Sequence, residues 1–294
     1  MYPPLEPYHS FHLTVDHLGQ DTPIKIYVQL SGNKHGIPII YLHGGPGDHS
    51  TAFVRRLFHP RHWHIVQFDQ RGCGKSTPPN HLRKNTTQLL IKDIEAIRKH
   101  LNVPKVALSG GSWGTTLALA YAIKHPALGL ILRGVYDLST EPDAVLSYMY
   151  PDLEDNLKHF TRKRSASKLL HSSSRTKYLK LLNDPTPMYL NSIPRPDSIQ
   201  TQTNLTLIGN HYQTHSFFIT KKWLYRNLHR ITCPVYIVQG RYDLVTPPIM
   251  AYNIHKHLPH SHITFVKAGH THHDLHEQLI HASNQLFLFI SQAS

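Results

Sequence analysis

The chain has 294 residues, of which 40% are hydrophobic and 17% charged, a composition typical of globular proteins rather than of disordered ones. Two cysteines, Cys73 and Cys233, are too few for a disulfide framework or a four-cysteine zinc site, and they fit a reducing, cytoplasmic compartment best. The sequence has no run of 18 apolar residues and no basic N-terminal region followed by an apolar stretch, so we expect neither a membrane span nor a secretory signal.

The charge is strongly and unevenly basic, with a formal net value of +13. Residues 156–183 contain no acid but carry eight cations, namely Lys158, Arg162, Lys163, Arg164, Lys168, Arg175, Lys177 and Lys180. This stretch is either a solvated basic face or a surface that steers an acidic partner. Because no nucleic-acid-binding motif accompanies the charge, we expect no specific nucleic acid partner.

Hydrophobic patterning predicts short strands that alternate with helices along most of the chain. Alternating or continuous apolar runs predict strands at 24–30, 37–42, 63–68, 105–109, 129–134, 235–240 and 262–266. Helical spacing of apolar residues predicts helices at 86–101, 112–125 and 274–290. The pattern stops between about residues 137 and 216, which are polar, basic and too long for an ordinary loop.

Apolar strands that alternate with helices predict an α/β fold with a mostly parallel sheet covered by helices on both faces. We therefore predict one α/β domain made of residues 1–136 and 217–294. The interrupting residues 137–216 are predicted to form an inserted, mainly helical cap domain. No internal repeat is present, and the oligomeric state is left open by the sequence.

The central motif is Gly110-Gly111-Ser112-Trp113-Gly114, a G-x-S-x-G match between a predicted strand and a predicted helix. This context is typical of a nucleophile elbow, in which a strained turn holds the serine hydroxyl out at the head of a helix. The N–H of Trp113 would then face the oxyanion that develops on a substrate carbonyl. A second glycine-rich loop, residues 43–47, ends an earlier strand, where this architecture takes its second oxyanion donor.

Two further predicted strands are followed by an acid and a histidine. Asp243 comes directly after the strand at 235–240, and His270 follows the next strand. The chain order Ser112, Asp243, His270 is the order of an α/β-hydrolase triad. In that arrangement His270 takes the serine proton, and Asp243 holds the histidine tautomer and stabilises the imidazolium.

His270 has an alternative interpretation as a metal ligand, because three histidines and an acid follow it closely: His272, His273, Asp274 and His276. No H-E-x-x-H helix accompanies them, and Gly269 favours a turn. Cys73 likewise has two interpretations, as an inert packed thiol or as a thiol-reagent site near the catalytic residues.

The chain resembles the prolyl iminopeptidases, serine peptidases of the α/β-hydrolase fold. The resemblance rests on residues 2–8 (YPPLEPY), 43–47 (HGGPG), 69–76 (DQRGCGKS), 110–114 (GGSWG), 132–134 (LRG), 210–212 (NHY) and 240–243 (GRYD). It implies Ser112, Asp243 and His270 as the triad and Gly45 and Trp113 as the oxyanion donors. It also implies release of N-terminal proline from short peptides, without a metal or cofactor.

The sequence departs from the family pattern in the region that binds the free α-amine of the substrate. Gly209 stands where the family carries a glutamate, and Gln213 replaces a phenylalanine. A second family glutamate follows a cap tryptophan that this chain lacks; Asp184, in about that place, aligns only loosely. Burying an ammonium without a carboxylate is costly. The triad is therefore predicted to be intact while the amine anchor is lost or rebuilt, with Asp184 and Asp197 as candidate carboxylates.

Three functions follow from these observations. The first is a serine aminopeptidase that prefers N-terminal proline on short peptides. The second is an esterase or amidase of the same fold that acts on a small, neutral or anionic acyl group, favoured by Gly209 and the basic cap. The third is a binding module on an inactive hydrolase scaffold, favoured by the charge and opposed by the complete triad motifs.

Overall fold

A computed structural model describes residues 1–139, 198–243 and 245–293. The predicted cap at 137–216 is therefore described only at its two ends. The basic stretch, Asp184 and Asp197 lie outside the described residues. Eight strands are present: β1 (His9–His17), β2 (Pro23–Gly32), β3 (Ile37–Leu42), β4 (Trp63–Asp69), β5 (Ala107–Gly111), β6 (Gly129–Arg133), β7 (Val235–Gly240) and β8 (Ser261–Val266).

The eight strands form one sheet in the order β1-β2-β4-β3-β5-β6-β7-β8. From β4 to β8 every neighbouring pair is parallel, while β1 and β2 add an antiparallel ribbon at one edge. The predicted, mostly parallel sheet is confirmed. Parallel strands end at the same edge, so the loops that follow β3, β5, β7 and β8 gather on one side of the molecule.

The described residues form seven α-helices: α1 (Ala52–Arg55), α2 (Thr87–His100), α3 (Trp113–Lys124), α4 (Ile199–Thr214), α5 (Lys221–Asn227), α6 (Pro248–Lys256) and α7 (His276–Ala293). Helix α2 begins at the N-cap Thr86, whose side chain accepts a hydrogen bond from the Leu89 N–H, and it buries one apolar stripe. Helix α3 is buried on all sides from Trp113 to Ile123, which explains its nearly uniform apolar sequence.

The core lies on both faces of the sheet because adjacent strand residues point in opposite directions. Ile40 and Leu42 of β3 pack with α2 and α3 on one face, and Ile39 and Tyr41 pack with α1 and α7 on the other. Packing on both faces fixes the position of each strand and therefore of the loop that follows it.

The strand predicted at 105–109 is displaced by two residues, since β5 spans Ala107–Gly111. Gly110 and Gly111 look like a turn in the sequence but pair with Leu132 and Arg133 of β6. The other predicted strands and helices are present with small shifts of their ends. Strand β1 and helices α1, α5 and α6 were not predicted.

Helix α4 lies within the predicted cap, yet its Ile208 and Tyr212 are buried in the same hydrophobic cluster as α2 and α3. The side-chain hydroxyl of Tyr212 donates a 2.9 Å hydrogen bond to Asn85. This end of the cap segment thus packs directly on the α/β core; the boundaries 1–136, 137–216 and 217–294 stay a prediction. No helix in the described ranges is long and apolar enough to cross a membrane.

Candidate active site

Ser112 occupies the sharp turn between β5 and α3. Its backbone angles, φ 55° and ψ −124°, lie outside the regions that non-glycine residues ordinarily adopt. Such backbone strain is concentrated at functional sites, where the surrounding structure holds it. The turn places the Ser112 side chain at the N-terminus of α3, where the helix dipole favours negative charge.

The two outer glycines of the G-x-S-x-G motif allow the backbone to cross itself at this turn. A Cβ atom on Gly110 would collide with the carbonyl group of Gly114. A Cβ atom on Gly114 would collide with the carbonyl of Leu42 and lie 3.0 Å from that of His43. The glycine at position 114 therefore also allows the turn at Ser112 to pack closely against the end of β3 and the loop that follows it.

Asp243 and His270 come together from the loops after β7 and β8. Asp243 Oδ2 accepts a 2.8 Å hydrogen bond from His270 Nδ1, and both side chains are almost fully buried. Because Nδ1 carries the proton in this bond, the neutral ring presents Nε2 as an acceptor. This is the tautomer that a general base facing a serine requires.

Burial alone would raise the pKa of Asp243. The positive charge that His270 can carry, together with hydrogen bonds from His270 and Thr246, instead lowers this pKa below its ordinary value. The Thr246 N–H and hydroxyl each donate a 2.8 Å hydrogen bond to the carboxylate. Asp243 is thus held ionised, as a partner of an imidazolium must be.

Ser112 and His270 both contact the chain at the end of β6. The Ser112 N–H donates a 2.9 Å hydrogen bond to the Arg133 carbonyl. A Cβ atom on the next residue, Gly134, would lie only 3.0 Å from His270 Cε1. Ser112 and His270 therefore contact adjacent residues of the chain, Arg133 and Gly134. No hydrogen bond joins Ser112 Oγ to His270 in the described structure, and such bonds often form fully only when substrate is present.

The loop at residues 43–47 lies against the serine. A Cβ atom on Gly44 would lie 3.9 Å from Ser112 Oγ, and Gly45 is exposed at the surface of the site. Within the described residues, neither the Gly45 N–H nor the Trp113 N–H donates to another protein group. Two free donors therefore flank Ser112, as stabilisation of an oxyanion requires.

Within the described part of the chain, the histidines that follow His270 do not assemble a metal site. Among the residues that the structure describes, no three His, Cys, Asp or Glu side chains are close enough to hold an ion. His272 packs on Phe53, and burial together with the charge of Arg133 lowers the pKa of His272 to about 3.

Cys73 is 1% exposed, and its thiol faces the Arg71 carbonyl. Burial raises the pKa of this thiol well above its ordinary value. Both features favour a packed, unreactive cysteine.

Three supporting residues of the site were not predicted from the sequence. Gln239 Nε2 donates a 3.1 Å hydrogen bond to Asp243, Thr246 caps the same carboxylate, and Arg133 donates to the His270 carbonyl. All three side chains are polar and at most 7% exposed. The sequence feature that could have identified Gln239 and Arg133 is a polar residue in an otherwise apolar strand.

A model of the α/β hydrolase fold family matches residues 37–277. Solved structures with different named activities share this fold, so the fold alone does not identify the substrate. A thermophilic esterase from Thermogutta terrifontis superposes with a TM-score of 0.68 at 18% identity, over 95% of this chain and 99% of that one. A proline iminopeptidase from Mycobacterium smegmatis superposes with a TM-score of 0.61 at 20% identity, over 96% and 99%.

Sequence relatives are closer. A probable proline iminopeptidase from Leptolyngbya boryana is 37% identical over 92% of this chain and 91% of its own length. The proline iminopeptidase of Arabidopsis thaliana is 34% identical over 92% of this chain and 77% of its own length. The family resemblance inferred from the motifs is confirmed. The chain belongs to the proline iminopeptidase family of α/β-hydrolase fold proteins.

Proposed function

We propose that the protein is a serine hydrolase that releases N-terminal proline from short peptides through an acyl-enzyme on Ser112. The observation that carries the chemistry is the buried Asp243–His270 pair next to a strained serine flanked by two free N–H donors. The substrate class is supported by relatives named proline iminopeptidase at 34–37% identity.

In the acylation step, His270 Nε2 removes the Ser112 hydroxyl proton while Oγ attacks the carbonyl carbon of the N-terminal residue. The carbonyl oxygen becomes an oxyanion that accepts hydrogen bonds from the Gly45 and Trp113 N–H groups. His270 then returns the proton to the leaving amine, and the peptide bond breaks. Asp243 stays ionised and stabilises the intervening imidazolium.

In the deacylation step, water replaces the leaving amine. His270 takes one proton from the water, and the resulting hydroxide attacks the ester carbonyl in the same oxyanion site. Collapse of the second intermediate breaks the ester bond, returns the proton to Ser112 Oγ and releases the amino acid. The cycle needs no metal or cofactor, since every proton and electron pair is carried by these side chains and water.

An esterase or amidase with changed specificity is the second candidate, and a specific observation favours it. Helix α4, which packs against the loop at residues 43–47, contains no acidic residue from Ile199 to Thr214. At Gly209, where the resembled family carries a glutamate, a Cβ atom would lie 3.5 Å from the Pro46 carbonyl. This wall of the site thus offers no carboxylate to a substrate ammonium.

The carboxylate of Asp48, however, lies next to the loop at residues 43–47. Asp48 directly follows Gly47, its side chain is 39% exposed, and the His49 N–H donates a 2.9 Å hydrogen bond to it. Burial would raise the pKa of Asp48, but hydrogen bonding from His49 lowers this pKa below its ordinary value, so the group is anionic. Asp48 is therefore the described residue that we assign to the substrate amine.

Substrates matched except at the amine discriminate the two candidates. We expect hydrolysis of proline arylamide and a loss of about 100-fold in kcat/KM when the proline nitrogen is acetylated, because a charge pair is removed. Asp48→Asn should raise KM for proline arylamide and leave acetylproline ester hydrolysis unchanged, with Asp21→Asn as an exposed control. Equal or faster turnover of the acetylated substrate would instead establish the esterase or amidase.

A further inference from the structure

A buried hydrogen-bond chain lies directly behind the predicted oxyanion donors, and the catalytic scheme does not use it. It joins Gln70, the residue after β4, to His43 and to the indole of Trp113. All three side chains are at most 2% exposed. Polar groups buried to this extent are kept only when they are hydrogen-bonded, so their directions are strongly determined.

The hydrogen bonds fix the tautomer of His43. The Gln70 N–H, which can only donate, lies 2.9 Å from His43 Nε2, so this nitrogen is the acceptor. His43 Nδ1 lies 3.0 Å from the Gly44 carbonyl oxygen, which can only accept, so Nδ1 carries the proton. Burial also lowers the pKa of His43, which keeps the ring neutral.

The bond from His43 Nδ1 acts on the same peptide unit that carries the Gly45 N–H. The Gly44–Gly45 peptide bond is planar and is not one of the two cis bonds in the described structure. In a trans peptide the carbonyl and the N–H point in opposite directions. Because His43 holds the Gly44 carbonyl toward the protein interior, the Gly45 N–H is directed to the opposite side.

Gln70 connects this loop to the second donor. Its Nε2 donates a 2.9 Å hydrogen bond to the His43 carbonyl, and its Oε1 accepts a 3.0 Å hydrogen bond from Trp113 Nε1. The indole can only donate, so the amide orientation is unambiguous. Gln70 thus connects His43, which directs the Gly45 N–H, to Trp113. The backbone N–H of Trp113 is the second predicted oxyanion donor.

We propose that His43 and Gln70 are positioning residues that hold the two oxyanion donors at a fixed separation and direction, His43 by directing the Gly44–Gly45 peptide and Gln70 by linking His43 to Trp113. This inference rests on the proposed function, in which Gly45 and Trp113 bind the oxyanion. A donor fixed before the reaction stabilises the transition state more than the ground state, so the effect belongs in kcat.

The test compares two replacements of His43 with a control on the neighbouring strand. His43→Leu removes the donor to the Gly44 carbonyl, whereas His43→Asn keeps an N–H donor near the position of Nδ1. Gln67→Leu is the matched control, because Gln67 is also fully buried but donates to the Thr51 carbonyl, away from the loop. Each variant is titrated with a fluorophosphonate to count competent Ser112, and its melting temperature is measured.

For His43→Leu we expect a loss of about 100-fold in kcat per titrated site, with KM changed less than about threefold. His43→Asn should recover at least about tenfold of that loss, and Gln70→Leu should resemble His43→Leu. Gln67→Leu should lower the melting temperature while keeping kcat. Equal kcat in His43→Leu and Gln67→Leu, or no recovery in His43→Asn, would overturn the proposal.

Two results separate the inference from the proposed function. If wild-type Ser112 is not labelled and Ser112→Ala retains activity, the proposed function itself is wrong. If the His43 variants do not fold, the ring of the wild-type protein is measured by ¹⁵N NMR. A proton on Nδ1 and none on Nε2 supports the proposal, and the opposite tautomer contradicts it.

Discussion

Asp243 and His270 are 27 positions apart in the chain yet share a buried 2.8 Å hydrogen bond. Three neighbours, Gln239, Thr246 and Arg133, hold this pair in place. Some of these contacts do more than orient the pair, because the hydrogen bonds from His270 and Thr246 also lower the pKa of Asp243. The carboxylate is therefore expected to contribute to the rate through the imidazolium and not through proton transfer of its own.

Asp243→Asn removes the negative charge and leaves a side chain of the same shape. We expect kcat to fall by about 10³- to 10⁴-fold with little change in KM, because the amide can hold His270 in the wrong tautomer. Steady-state kinetics on proline arylamide measure this effect. Asp274→Asn, on an exposed acid beyond the triad, is the control. A loss confined to KM would show that Asp243 binds substrate instead.

The residues of the predicted triad could be selected from the sequence because each follows a recognisable strand and is of a residue type suited to the chemistry. Gln70, Gln239 and Thr246 were not, since their roles depend on which loops meet at the edge of the sheet. His43 was quoted only as part of a glycine-rich loop. Its contact with the Gly44 carbonyl depends on the direction of the side chain, and the spacing of residues in the sequence does not predict that direction.

At the scale of elements, the parallel strands were predicted well because their continuous apolar runs reflect burial on both faces. Strand β1 was missed although Phe11, Leu13 and Val15 alternate with exposed residues as in a half-buried strand. Helix α6 was missed because only Met250, Ala251 and Ile254 are buried in its nine residues. Both elements bury few side chains, so their apolar patterns in the sequence are weak.

Asp16, near the end of β1, connects the antiparallel β1–β2 ribbon to the rest of the protein. Lys84 Nζ and Arg71 Nη1 donate to its carboxylate at 2.9 and 3.2 Å. Burial opposes ionisation, but these donors and the His17 N–H lower the pKa of Asp16 from 3.8 to about 2. A carboxyl whose pKa falls on folding stabilises the fold above its unfolded pKa and loses that effect as the pH falls through the folded value.

Asp16→Asn should therefore destabilise the protein by about 1 kcal/mol at neutral pH, a value reduced for solvent screening. The difference from wild type should persist down to pH 3.8 and disappear toward pH 2. Urea unfolding across this range measures it, with the exposed Asp21→Asn as control. A difference that does not change with pH would show that the contacts of Asp16 are not electrostatic.

At the scale of the whole molecule, the sheet separates two hydrophobic clusters, and the site lies at the edge where strand ends meet. Helix α7 covers one face and supplies Leu286, which is fully buried, while Leu288 two residues later is 50% exposed. The eight cations of the basic stretch lie in the segment outside the described residues.

Leu286→Ala should lower the free energy of unfolding by about 3 kcal/mol, because it leaves a cavity between α7 and β6. Leu288→Ala on the same helix should change it by less than about 0.5 kcal/mol. Both variants should keep the kcat of the folded enzyme, as measured by urea unfolding and by activity per titrated site. Loss of activity in folded Leu286→Ala would show that this face of the core also positions the site.

The central claim is that Ser112 is a nucleophile activated by the Asp243–His270 pair. Fluorophosphonate labelling followed by peptide mass mapping tests it most directly, on wild type, Ser112→Ala and His270→Gln. We predict one phosphonylated residue, Ser112, with no labelling of Ser112→Ala and labelling of His270→Gln slowed by at least about 10³-fold. Labelling at another residue, or a rate at Ser112 unchanged by the loss of His270, would contradict the claim.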